Sequence, residues 1–345
     1  MNNPFDPQDM LGYIESLPAN LSDAWQLGHE LPLPEVGQIK QILIAGMGGS
    51  AIGGDFLAGF VSDICPIPVI SHRDYSLPAW AKGPETLVIC SSHSGNTEET
   101  LSAFETALAQ GCSILALSTG GLLADKADDA GITAWRFEHH GQPRTAIAYS
   151  FGLLLALLER LGIVGDQADH VNSAVLAMQA QAQKLSQDVD VTYNPAKRLA
   201  GQLMGRYVSV FAAGAFEVIA RRWKTQINEL AKAWAQFEVI PEADHNTLAG
   251  LLNPDELLPK VAAIFLRAEI DHPRNVLRLD ATKQSFMLEG LVTDEVRAEG
   301  QTRLAQMWTL LQFGDYVSYY LALLYKVDPT PVDALLALKA KLAGK

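Results

Sequence analysis

Short apolar runs separated by amphipathic stretches mark the first part of the chain. Gln41–Ala45 (QILIA), Ile67–Ile70, Thr86–Ser91 (TLVICS) and Ser113–Leu117 (SILAL) are almost continuously hydrophobic, and Ile132–Phe137 offers a fifth run. Gly53–Phe60 and Thr97–Gln110 lie between them with helical spacing, the second stopping at Gly111. Apolar strands of about five residues alternating with helices predict a parallel sheet covered on both faces. Upstream, residues 8–30 predict a pair of amphipathic helices with Met10, Leu11, Ile14 and Leu17 turned inward.

After the loop Glu138–Arg144 the pattern predicts long helices over Thr145–Gly162 and Asp166–Leu185. The strand–helix rhythm then restarts. Tyr207–Ala213 (YVSVFAA) runs into Gly214 much as Ile42–Ala45 runs into Gly46, and these two openings lie 168 residues apart. Lys260–Arg267 and Val276–Leu279 predict further strands, and Arg303–Leu324 and Pro331–Leu342 predict helices. The expected fold is α/β: two similar domains, each a mainly parallel sheet flanked by helices in a flavodoxin-like or Rossmann-like manner. The expected boundaries are an N-terminal helical segment over 1–35, a first domain over 36–150, a helical linker over 151–190 and a second domain over 191–345.

Composition sharpens this picture by exclusion. A chain of 345 residues suits two cores better than one. A net charge of −13 opposes non-specific nucleic-acid binding, while a few local donors still suffice for one small anion. Cys65, Cys90 and Cys112 lack C-x-x-C spacing and are expected as reduced thiols; no HExxH or paired-cysteine set suggests a metal. The longest apolar run, Phe151–Leu158, is too short to cross a bilayer, and the start of the chain lacks a basic and apolar leader, so the expected location is the cytoplasm.

The most informative segment is Cys90-Ser-Ser-His-Ser-Gly-Asn-Thr-Glu-Glu-Thr100, between a buried strand and a helix. Open α/β sheets bind ligands at that carboxyl edge. Ser92, Ser94 and Thr97 bring three hydroxyls, Gly95 permits close backbone approach, and the helix start turns N–H groups and partial positive charge to the same space. The same residues also suit plain loop and capping roles, with Asn96 and Glu99 spaced as a capping pair. A second cluster, Gly46-Met-Gly-Gly-Ser-Ala-Ile-Gly-Gly54, also links a strand to a helix and places Ser50 where it can share a pocket with Ser94. Its glycines are not spaced G-x-G-x-x-G, which argues against a nicotinamide site.

GMGGSAIGGD and SSHSGNTEET resemble the two signature stretches of the sugar isomerase (SIS) domain. Trp223–Lys232 (WKTQINELAK), Val239–Asn246 (VIPEADHN), Gly314–Leu321 and Val327–Val332 are similar to the bifunctional phosphoglucose/phosphomannose isomerase branch. The resemblance implies a cofactor-free aldose–ketose isomerase acting on glucose 6-phosphate, and on mannose 6-phosphate, through an enediol. It implies phosphate binding by Ser50, Ser92, Ser94 and Thr97 with backbone from Gly48, Gly49 and Gly95.

It also implies three chemical residues. Glu229 sits beside an apolar helical stripe (Ile219, Trp223, Ile227, Leu230, Trp234) on a polar face with Arg222 and Gln226. The pattern alone fits a solvated carboxylate or a partly desolvated base, and the resemblance implies the general base. His245 reads alone as a loop or capping histidine; the resemblance implies the ring-opening acid/base, supplied to the neighbouring subunit of an obligate homodimer. Arg144, in Gln142-Pro-Arg-Thr145, is either a surface arginine or, by the resemblance, the stabiliser of enediolate charge. His93 stands where the family often has tyrosine and is given no role. Near the C-terminus Val327–Asp333 lacks the lysine of some members, leaving Lys326, Thr330 or no contact there. A non-catalytic sugar-phosphate sensor and an aminosugar-phosphate isomerase are the alternatives. No nucleic acid or membrane is expected as partner.

Overall fold

The protein is described by a computed structural model covering residues 4–343. The chain divides into two compact units: Ser16–Ala177 with Gly300–Ala305 form the N-terminal unit, and the other described residues form the C-terminal unit. Two helices come first, α1 (Met10–Glu15) in the C-terminal unit and α2 (Leu17–Glu30) in the N-terminal one. Met10, Leu11, Ile14 and Leu17 are all buried, as their spacing predicts.

In the N-terminal unit the strands are β1 (Gln41–Gly46), β2 (Val69–His72), β3 (Thr86–Ser91), β4 (Ser113–Ser118) and β5 (Ala134–Arg136). They form one sheet in the order β2-β1-β3-β4-β5, every pair parallel. The connecting helices are α3 (Gly48–Val61), α4 (Glu98–Ala109) and α5 (Gly121–Asp129), followed by α6 (Ile147–Arg160), which packs on α2 and α3. Leu87, Val88, Ile89 and Cys90 are fully buried because β3 is central and covered on both faces.

The stretch expected as a linker, residues 151–190, is shared: α6 lies in the N-terminal unit, and α7 (Ala168–Leu185) spans the point where the units divide. The C-terminal unit continues with α8 (Pro195–Leu203), β6 (Tyr207–Ala213), α9 (Glu217–Glu229), β7 (Ala235–Ile240), β8 (Val261–Arg267), α10 (Pro273–Leu288) and β9 (Val292–Arg297). It closes with α11 (Arg303–Tyr325), whose first turn belongs to the other unit, and α12 (Asp333–Ala343). Its sheet has the order β7-β6-β8-β9, again all parallel. This repeats the β2-β1-β3-β4 order of the first sheet, so the repeated strand–glycine–helix opening does mark two similar sheets.

Three local expectations need correction. Val276–Leu279 is not a strand but part of α10, which His272 caps through its side chain and Pro273 opens. Four apolar-leaning residues cannot by themselves separate a strand from one helical turn. The sequence pattern misses β7 because it sets Trp234 on the helical stripe. In fact α9 ends at Glu229, Lys232 turns the chain at φ +54°, and Trp234 is 73% exposed outside the helix. β9 (VTDEVR) escaped because it is a half-buried edge strand rich in charge.

Candidate active site

The serine- and threonine-rich turn leaves the carboxyl end of β3, and the glycine cluster leaves the carboxyl end of its neighbour β1. Ser92 and Thr97 meet across the turn, hydroxyl to hydroxyl at 2.9 Å. Thr97 occupies the cap position of α4 without capping it, so its hydroxyl faces Ser92 instead. Ser50 accepts the His93 backbone N–H at 3.2 Å, which joins the two loops. Ser94 is exposed and accepts the Asn96 N–H at 3.2 Å. Asn96 does not cap α4; its side chain donates to Ser94 O at 3.0 Å and accepts from Leu122 N at 3.1 Å, pinning the turn to the start of α5. Gly95 has φ +68°, and a Cβ there would lie 1.8 Å from Gly120 O, so the turn needs glycine for both conformation and space. The Ser50, Ser92 and Thr97 hydroxyls, two helix starts and close backbone at one sheet edge can receive an anion.

Arg144 is brought to the same place. It lies in a one-turn 3-10 helix, Pro143–Ala146, just before α6, and it is 4% exposed. That turn rests on the glycine cluster: a Cβ on Gly49 would fall 2.4 Å from Pro143 O and 3.1 Å from Arg144 N. Two histidines connect this segment with the serine- and threonine-rich turn. His93 Nε2 lies 3.0 Å from His139 Nδ1, and His139 Nε2 lies 3.3 Å from Thr145 Oγ1. The rings sit beside Phe137 and Tyr149, themselves stacked at 5.1 Å. Burial lowers the pKa of His93; burial, with the neighbouring His93 and His140, pushes His139 down to about 4.

Glu229 is the last residue of α9, at the amino edge of the second sheet, and is half-buried. The helix beneath it is anchored hard. Arg222 and Asp315 of α11, both 2% exposed, form a two-point ion pair at 2.8 and 3.1 Å. Trp223 Nε1 donates to Leu310 O at 2.9 Å, and its ring covers Gly314, where a Cβ would meet it at 2.3 Å. Arg222 and Gln226, on the polar face predicted from spacing, are both buried. Lys232 curls back to the Glu229 carbonyl, and with Arg206, Trp234 and Tyr325 it lines a cleft of about 490 Å³.

His245 ends a 3-10 turn after Pro241 and is exposed. Its neighbour Asp244 fixes that turn to α10 through Arg278 at 2.9 Å and Thr282 at 2.7 Å. Lys326 is exposed, whereas Thr330 is 3% exposed. The residues of the serine- and threonine-rich turn and Arg144 thus share one unit, and Glu229 and His245 share the other. Among the described residues no group of three His, Cys, Asp or Glu side chains is placed to hold a metal. Asp315, His139 and Thr145 were not singled out from sequence. Asp315 carried a faint signal, as one acid inside an apolar helix.

The chain is similar to known proteins along most of its length. Residues 192–342 match the family model described as the bacterial phospho-glucose isomerase C-terminal SIS domain. The bifunctional phosphoglucose/phosphomannose isomerase of Caldicellulosiruptor bescii is 40% identical over 97% of this chain and 99% of its own. The protein of the same name from Aquifex aeolicus is 34% identical over 88% and 90%. Among solved structures, a hypothetical protein of Thermus thermophilus aligns with TM-score 0.74 at 17% identity, covering 99% of this chain and 91% of that one, a likeness of fold alone.

Proposed function

The chain belongs to the bifunctional phosphoglucose/phosphomannose isomerase family, and from that premise we propose that it interconverts glucose 6-phosphate and mannose 6-phosphate with fructose 6-phosphate. The reaction moves one proton between C1 and C2 through a cis-enediolate, which a single carboxylate can accomplish by taking the proton from one carbon and returning it to the other. In this reading Ser50, Ser92, Ser94 and Thr97 hold the ester phosphate, helped by backbone at Gly48, Gly49 and Gly95. Glu229 carries the proton, Arg144 stabilises the enediolate charge, and His245 exchanges the ring-opening proton. The observation that carries it is the Ser92–Thr97 hydroxyl pair on a turn whose His93 backbone N–H meets the Ser50 hydroxyl, with the Arg144 segment seated on Gly49. The rigid Arg222–Asp315 mount supports a role for Glu229 that depends on accurate placement.

The working form is a homodimer in which His245 serves the partner's pocket. Its exposed position on a turn braced by Asp244 supports this, and so does α12, where Leu335, Leu338 and Leu342 form an apolar face at i, i+3, i+7 with exposures of 48%, 54% and 52%. The site of action is the cytoplasm; no helix among the described residues is long and apolar enough to cross a membrane. The test is Glu229→Gln in a coupled assay for both aldose phosphates. General-base loss lowers kcat by about 10²- to 10⁴-fold, while 5-phosphoarabinonate, a mimic of the enediolate, binds as before. Full turnover by Glu229→Gln overturns the assignment.

A further inference from the structure

Between the phosphate turn and the Arg144 segment runs a chain of polar contacts that the reaction itself does not use. Thr145 donates its hydroxyl to Gln142 O at 2.8 Å, which leaves Oγ1 free to accept from His139 Nε2–H. His139 Nδ1 then carries a lone pair, and it accepts the Nε2–H of His93. With the proton of each neutral ring on Nε2, these three contacts are all satisfied. Their lowered pKa values agree with it. At its other end His93 is fixed through its backbone: its N–H reaches Ser50 and its carbonyl accepts from Thr119 Oγ1 at 2.7 Å and from Thr119 N at 3.1 Å. The contacts close a ring, from Ser50 to His93, His139 and Thr145, then through Arg144 and Pro143 back to Gly49 beside Ser50.

We propose that His93 and His139 are positioning residues of the isomerase: a two-imidazole strut that bridges the phosphate turn to Thr145 and so holds Arg144 against the glycine cluster. The strut rests on the reading that Arg144 acts on the substrate. It gives His93 a task that an aromatic ring without a hydrogen-bond donor cannot perform. Phosphate binding itself is left to the turn's hydroxyls and backbone, so the strut bears on turnover more than on anion affinity.

The test uses the full-length protein and reads kcat, the Ki of inorganic phosphate as competitor, and Tm. His93→Phe keeps a ring beside Phe137 but loses the donor; His93→Gln returns an amide N–H at the position of Nε2. His139→Gln keeps a donor toward Thr145 but offers nothing to His93, and it serves equally should His93→Phe fail to fold. The expected result is a kcat reduced about tenfold or more in His93→Phe and His139→Gln, with the phosphate Ki within about twofold of the parent and kcat largely restored in His93→Gln, at effective-positioning losses of the size that small displacements cause. The proposal is overturned if kcat stays at the parent level in either disrupted variant, or if His93→Gln is as poor as His93→Phe at equal Tm. Arg144→Ala separates the two ideas: unchanged kcat there removes Arg144 from the chemistry, whereas a lost kcat there beside a normal His93→Phe removes only the strut.

Discussion

Gly95→Ala probes the Ser92–Thr97 turn most directly, because the structure separates two costs at that position. The first is conformational: φ +68° is left-handed, and a Cβ there costs about 1–2 kcal/mol. The second is steric. The new Cβ would lie 1.8 Å from Gly120 O, whereas such atoms essentially never approach within 3.0 Å, so the two loops must part by at least 1.2 Å. Forced repacking of that kind adds about 1–3 kcal/mol. Gly111→Ala is the control: Gly111 has φ +66° in the same unit, yet a Cβ there meets nothing within 4 Å. It incurs the first cost alone. Thermal unfolding of both variants, at about 2–4 °C per kcal/mol for a unit of this size, should show Gly95→Ala losing about 2–12 °C more than Gly111→Ala. Steady-state assays should show kcat/KM falling about 100-fold in Gly95→Ala, since a displacement of about 1 Å can cost that much, and staying within about twofold in Gly111→Ala. Equal Tm losses, or an unchanged kcat/KM in Gly95→Ala, would refute the idea that this turn is held by close contact with Gly120.

Other outcomes follow from particular contacts. Asp315→Leu strands Arg222 as a buried charge and should cost about 3–5 kcal/mol, while adding Arg222→Met should recover most of it; denaturant unfolding of single and double variants decides, and additive losses would contradict the pairing. His139 has a native pKa near 4 against an ordinary value of 6.5, so the native state resists a proton that the unfolded chain accepts. Its contribution is therefore intact above about pH 6.5 and is lost as the pH falls toward 4; the Tm of the parent should drop more between pH 7.5 and pH 5 than that of His139→Gln, and parallel curves would refute this. For the homodimer, light scattering should give twice the chain mass for the parent and a single chain mass for Leu335→Glu/Leu338→Glu, and a monomeric parent would end that proposal.

Much of the N-terminal sheet was legible residue by residue. Thr86–Ser91 needed no adjustment, and the Ser92–Thr97 turn declared itself, because continuous apolar runs and hydroxyl- and glycine-rich loops are local signals. The C-terminal sheet is less legible in the sequence. Its strands β7 and β9 are half-buried and charged, and the end of α9 depends on a left-handed turn at Lys232 rather than on a proline or glycine. Glu229, His245 and Arg144 stood out through a family pattern, since no spacing rule distinguishes a catalytic carboxylate from a solvated one.

The sequence by itself determined where strands hand over to helices and which loop carries the hydroxyls, for those choices are made by neighbours within a few residues. The tertiary structure alone decided that Arg222 is matched with Asp315, 93 positions away, and that His93 meets His139, 46 positions away. Side chains so distant along the chain become partners only when packing removes water from around both, and no local pattern records which pair that will be.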